Sequence, residues 1–125
     1  MWDELSVEQL RKEGAVVLRF KEQLMDRLLK KVDWFEIAGH KVPAINTPLF
    51  ASELGNQLCI DHPEADFAVC YADHGDKRKF SLRSVGDFDV SAVAGIFGGG
   101  GHRNASGMAI PVSGHEKVKL LSPED

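Results

Sequence analysis

Four consecutive glycines, Gly98 to Gly101, stand between an apolar segment ending at Phe97 and a histidine, His102, and no regular helix can run through them. One glycine in the left-handed region is enough to stop a helix, so three of the four exceed what a helix end requires. Glycine tolerates positive φ, which turns successive N–H groups inward as an anion-binding nest, and its missing side chain lets a phosphate approach the main chain. His102 adds a donor that becomes cationic beside a phosphate. The run follows a helix instead of opening one, and no Lys-Ser or Lys-Thr comes after it, which excludes a nucleotide P-loop and a dinucleotide fingerprint. A flexible loop with an incidental histidine is the alternative reading.

Charge gathers in the same region. The whole chain of 125 residues carries a net charge of −4, yet the segment from His74 to Arg103 carries +2, through Lys77, Arg78, Lys79, Arg83 and Arg103. Nothing in the overall charge draws this molecule onto nucleic acid or anionic lipid, so an anion site belongs in that segment. The length suits one domain with one core. No stretch approaches the roughly 20 apolar residues of a membrane helix, and Met1-Trp2-Asp3-Glu4-Leu5 lacks the form of a signal peptide, so a cytoplasmic location is expected. Cys59 and Cys70 have no partners at metal-ligand spacing, which excludes a disulfide framework and a zinc site.

Periodicity places these residues on elements. Ser6-Val7-Glu8-Gln9 reads as a capping box that opens a long amphipathic helix through Leu10, Val17, Phe20, Leu24 and Leu28 to about Lys31, with Gly14 inside it. Leu18, Met25 and Leu29 widen its apolar stripe beyond what a small domain covers with one helix, so either a buried structural helix or a partner surface is expected. Strands follow at Trp34–Ala38 and Lys41–Ile45, the second marked by Pro43 as an edge strand or a bulge. Thr47-Pro48 reads as the cap and first residue of a second helix reaching His62-Pro63. Phe67–Ala72 and Lys79–Ser84 read as strands bracketing a turn at Asp73-His74-Gly75-Asp76. Asp89 caps a short helix through Val90, Val93, Ala94 and Phe97, Ser106–Val112 is the last strand, and a short helix is expected after Ser113. The fold class is mixed α/β, a sheet of about five strands with helices packed on it.

Two further positions could touch a ligand. Arg83 lies on the polar side of its strand with Lys79 and Ser81, and a planar guanidinium grips phosphate with two hydrogen bonds. A surface salt bridge is its alternative role. Asn46 stands between a strand and a helix start, where a turn or capping role competes with ligand contact. Asp73-His74 tempts as a metal pair, but Gly75-Asp76 makes it a turn, and no Ser–His–Asp or Cys–His arrangement appears. Asn104-Ala105-Ser106 matches a glycosylation sequon, expected to be unmodified without a secretory signal.

Phe80-Ser81-Leu82-Arg83-Ser84, Asp89-Val90-Ser91-Ala92-Val93-Ala94 and Phe97 to Gly107 together resemble the DHH-associated domain, the C-terminal domain of the DHH phosphoesterases. The family includes RecJ-like nucleases, oligoribonucleotide-degrading nanoRNases, bisphosphonucleoside phosphatases and cyclic-dinucleotide phosphodiesterases. The resemblance divides the chain into a linker helix at 1–31 and a substrate-binding domain at 32–125. It implies that Gly99, Gly100, Gly101 and His102 contact phosphate or nucleotide and that Arg83 grips a phosphate. It also implies a catalytic N-terminal domain, absent from this sequence because nothing matches Asp-His-His, in which Mn2+ would activate water. The chain alone would then be inactive, without a cofactor of its own. Its partners would be an oligonucleotide or nucleotide phosphate and the DHH domain, with a homo-oligomer as another expectation and no membrane. A freestanding nucleotide or nucleic-acid binding module is the competing reading.

Overall fold

The computed structural model describes residues 4–121. Helix α1 (Glu4–Leu29) leads into a hairpin of β1 (Asp33–Ile37) and β2 (His40–Asn46), whose turn residues Ala38 and Gly39 both take positive φ, 51° and 87°. Such a turn matches the twist of its flanking strands. Helix α2 (Ala51–Asp61) crosses to β3 (Ala68–His74), which turns tightly into β4 (Lys77–Arg83). Helix α3 (Val90–Ile96), β5 (Gly100–His102), β6 (Ala105–Pro111) and β7 (Val118–Leu121) complete the chain. The seven strands form one sheet in the order β5-β6-β4-β3-β2-β1-β7. Only β2 and β3 run parallel, joined by the α2 crossover.

The pleat separates two cores. Phe35, Val69, Phe80, Leu82 and Met108 lie on one face and meet Val90, Val93 and Ala94 of α3. Ile45, Ala68 and Cys70 lie on the other face under Leu54, Leu58 and Cys59 of α2, with Met25, Leu28 and Leu29 at the end of α1 closing the edge. Alternation along β4 carries the division, because Phe80 and Leu82 are 2% and 0% exposed while Lys77 and Lys79 are open to solvent.

Several expectations need correction. The sheet has seven strands, because Gly100–His102 pairs with β6 and the segment expected to be a helix after Ser113 ends in β7, paired with β1. A run of glycines has no alternating side chains to announce a strand, and β7 is too short to show a period. Helix α1 is already formed at Glu4, so Ser6 falls inside it, and Gln9 reaches forward to Glu13. Helix α2 starts at Ala51, not Pro48: the Thr47 hydroxyl accepts from Leu49 N–H at 3.1 Å in a local turn, leaving Phe50 as the cap at φ 60°. Pro43 sits on an interior strand. It pairs in register with Trp34, and the ladder to β3 begins one residue later at Ala44, so its missing N–H costs that ladder nothing.

Among the described side chains, the apolar stripe of α1 is covered only toward its end. Val16, Val17, Leu18 and Phe20 are 57 to 68% exposed, whereas Met25, Leu28 and Leu29 pack on the α2 core. No helix among the described residues is long and apolar enough to cross a membrane.

Candidate functional site

The glycine run does two structural tasks and leaves one position over. Gly98, at φ 80°, ends α3 with two bonds characteristic of a left-handed helix stop, Gly98 N–H to Gly95 O at 3.2 Å and Gly99 N–H to Ala94 O at 2.9 Å. A Cβ on Gly99 would lie 2.2 Å from the Gly107 carbonyl oxygen, and one on Gly101 would lie 2.7 Å from that of Ala105. Both glycines therefore serve the close approach of β5 to β6. At Gly100 a Cβ would meet nothing within 4 Å. Packing does not require glycine there, and the bare backbone faces open space.

That space is a groove of about 340 Å³ lined by Ala51, Ser52, Ser81, Arg83, Gly100, Ala105, Ser106 and Gly107. Its floor is the α2 face of β4 and β6, where Gly100 pairs with Gly107 and Gly107 with Ser81. One wall is the start of α2, where the cap residue Phe50 offers no side-chain hydrogen bond to the first N–H groups. Those donors carry the positive end of the helix dipole. Strand β5 is an edge strand, so its outward backbone groups have no partner within the sheet.

Arg83 is aimed by its surroundings. Its aliphatic stem lies across Gly55 of α2, where an added Cβ would come within 2.5 Å of Arg83 Cγ, and Nη2 donates to the Ser52 hydroxyl at 2.5 Å. Among the described residues its guanidinium makes no ion pair within 4.0 Å. Below it, burial pushes the Cys70 thiol up to about 11, while the positive charge of Arg83 acts in the opposite direction. The nearby turn is pinned from the other side: Ser84 Oγ donates to Phe88 O at 2.7 Å and accepts from Asn104 Nδ2 at 2.9 Å.

The structure thus brings Arg83 and Gly100 to one groove. Gly99 and Gly101 support it through backbone packing, and His102 follows on β5 opposite Ala105, exposed and at the rim. Asn46 is elsewhere. It pairs with Tyr71 and lines a separate groove of about 430 Å³ with Lys30 and Lys31. A third concavity, about 370 Å³ beside Glu36, Ile96 and Lys119, mixes both signs of charge and holds none of the expected residues. Sequence reasoning missed Ser52, Gly55 and Gly107. A lone glycine inside α2 was the signal available for Gly55, because it costs about 1 kcal/mol relative to Ala unless something needs the space.

The groove lining contains no carboxylate, thiol or imidazole. No group of three or more His, Cys, Asp or Glu among the described residues is placed to hold a metal ion. Asp73 is engaged by Arg78 at 2.7 Å, which also holds its carboxyl below the ordinary carboxylate range. The site can bind and orient an anion.

The DHHA1 domain family matches residues 49–122, more than half of the chain. The chain belongs to this family. Relatives are an uncharacterized protein of Acanthamoeba polyphaga mimivirus, 38% identical over 103 residues, which cover 77% of this chain and 24% of that protein. Another is the oligoribonuclease NrnB of Bacillus subtilis, 36% identical over 103 residues, covering 73% of this chain and 25% of NrnB. The chain spans about a quarter of the length of these curated relatives. Among solved structures, an uncharacterized protein from Helicobacter pylori G27 matches with a TM-score of 0.52 at 28% identity, over 67% of this chain and 23% of that one. The pGpG-specific phosphodiesterase PggH from Vibrio cholerae shares the fold, with a TM-score of 0.58 at 12% identity over 82% of this chain and 37% of that one. The DHHA1 reading of the motifs holds, and Asp-His-His occurs nowhere in the 125 residues.

Proposed function

We propose that this chain is the substrate-holding part of a manganese-dependent DHH-family phosphoesterase that acts on short oligonucleotides or nucleotides in the cytoplasm. The observation that carries the reading is the convergence of Arg83, whose guanidinium has no ion pair among the described residues, with the one glycine of the run that packing leaves unexplained, Gly100. A phosphate in this groove would take two hydrogen bonds from Arg83 and would meet bare backbone at Gly100, with the uncapped start of α2 beside it. Similarity to the oligoribonuclease NrnB favours an oligoribonucleotide.

Catalysis then falls to a separate Asp-His-His domain whose Mn2+ activates water, while this domain fixes the phosphate and places positive charge where negative charge develops. His102, at the rim, would meet the neighbouring nucleotide. Residues 32–125 form the domain and α1 links it to its partner. The exposed stripe of Val16, Val17, Leu18 and Phe20 fits that linking role, with self-association as the alternative cover.

The test is a titration of the 125-residue chain with a 5′-phosphorylated dinucleotide, followed by NMR. Shifts should appear at Gly99 to His102 and at Arg83. Arg83→Ala should weaken binding about tenfold or more, as expected for a lost charge-assisted hydrogen bond. Its melting temperature should stay within a few degrees. Gly100→Val should keep the fold and lose the ligand. Absence of shifts at millimolar ligand, or equal affinity of wild type and both variants, would refute the groove. Turnover by the isolated chain that stops on removing metal would assign catalysis to this chain instead.

A further inference from the structure

The groove is one end of a longer open surface. On its α2 face, β4 presents Lys77, Lys79, Ser81 and Arg83 in alternation, and α2 covers the neighbouring strand only at Ala68 and Cys70, near the Arg83 end. Beside this row, β6 offers Ala105, Gly107 and Ala109, side chains too small to stand between the cations and a ligand. Lys77 and Lys79 are exposed and, among the described residues, make no ion pair within 4.0 Å. Arg78, on the opposite face of the same strand, is neutralised by Asp73 at 2.7 Å. No acidic residue lies on the α2 face of β4, β5 or β6, in a chain whose overall charge is −4.

We propose that this uncovered lane is a track for the backbone of a single-stranded oligonucleotide, in which Lys79 and Lys77 continue the phosphate contacts that begin at Arg83. The inference rests on the groove reading above and adds substrate length to it. Alternate residues of a strand are about 6.6 Å apart, comparable with successive phosphates of an extended single strand. Arg83, Ser81, Lys79 and Lys77 therefore stand opposite four consecutive phosphates. A mononucleotide or dinucleotide fills only the groove, whereas a strand of four or five nucleotides reaches Lys77. Charge complementarity along a narrow lane of small residues suits a flexible single strand better than a rigid duplex.

The experiment measures the affinity of the full chain for 5′-phosphorylated oligoribonucleotides of two to eight nucleotides, at several salt concentrations. Affinity should rise with length and level off at four to five nucleotides. In the Lys77→Ala/Lys79→Ala variant the longer strands should bind no better than the dinucleotide. The slope of log K against log salt for the pentanucleotide should become shallower by about 1.4, from two lost phosphate contacts at about 0.7 each. Lys41→Ala, which removes a cation lying over Trp34 on another strand, should leave the length series intact. Dinucleotide binding without any gain at greater length would overturn the track and leave the groove standing. A length series unaltered in the double variant would also overturn it. No binding at any length would overturn both.

Discussion

The two sides of β4 show how one strand serves stability on one side and recognition on the other. Toward α3, Phe80 and Leu82 are 2% and 0% exposed, Phe80 stands edge-on to Phe35 with centroids 5.4 Å apart, and the one cation on that side, Arg78, is bound to Asp73 and lies over Tyr71. Toward α2, the same strand offers Lys77, Lys79, Ser81 and Arg83, and beyond the edge of α2 none of the described residues covers them. Every buried polar side-chain atom among the described residues has a hydrogen-bond partner. Among the described residues Lys77, Lys79 and Arg83 of the open side make no ion pair, and Arg83 donates to the neutral Ser52 hydroxyl. A fold that satisfies its polar groups this fully leaves charges unpaired at little cost only where water, or a ligand, can reach them.

The largest effect that could break this contrast comes from adjacent truncations. Phe80→Ala should cost about 3–5 kcal/mol in urea unfolding, the usual penalty for a buried aromatic in a well-packed core. Ser81→Ala, one residue along, should cost within about 0.5 kcal/mol. Similar losses at both positions would mean that the α2 side of β4 is as much a part of the core as the α3 side.

A second pair probes the glycines. Gly99→Ala drives a methyl group to within 2.2 Å of the Gly107 carbonyl oxygen and should destabilise by about 2–3 kcal/mol, whereas Gly100→Ala meets open space and should be nearly neutral to folding. If the two variants melt together, the division between packing glycines and a ligand-facing glycine is wrong.

How far the sequence disclosed this arrangement depends on how local each signal was. The α3 segment was readable because Asp89 and the spacing of Val90, Val93 and Ala94 act within two turns, and the structure shows Asp89 accepting from Ser91 N–H at 2.9 Å. The alternation of Phe80 and Leu82 with Lys79 and Arg83 likewise disclosed both faces of β4. Pairings between distant segments were not readable. Strand β5 depends on Gly107 leaving room 7 residues away, β7 depends on a free edge at β1, and the start of α2 depends on a turn that Thr47 makes for itself. Asn46 and Arg83 both end a strand, but Asn46 stands level with Tyr71 and Phe80 while Arg83 stands opposite Ala68 two strands away, so the fold separates two residues that the sequence offered for one ligand. Gly55 gained its meaning only when Arg83 was seen lying across it.

The smallest expected effect uses two neighbours that look in opposite directions, Cys70 toward α2 and Tyr71 toward α3. Burial pushes the Cys70 thiol up to about 11. Burial, with the hydroxyl donating to Asp33 at 2.8 Å, pushes the Tyr71 phenol up to about 12. Each folded pKa is raised, so each contribution is fully present below the group's unfolded pKa and is lost as pH rises through the folded value. Stability measured by urea unfolding should therefore hold level from pH 7 to the ordinary thiol range near about 8.5 and decline above it. Cys70→Ala should reduce the earlier part of that decline, to which Cys59, also pushed up by burial, contributes the remainder, and Tyr71→Phe should remove the part above about pH 10. The two faces would then be distinguished by pH alone, in the order thiol before phenol. A decline unchanged in both variants would show that neither side of β3 holds its titrating group neutral by burial.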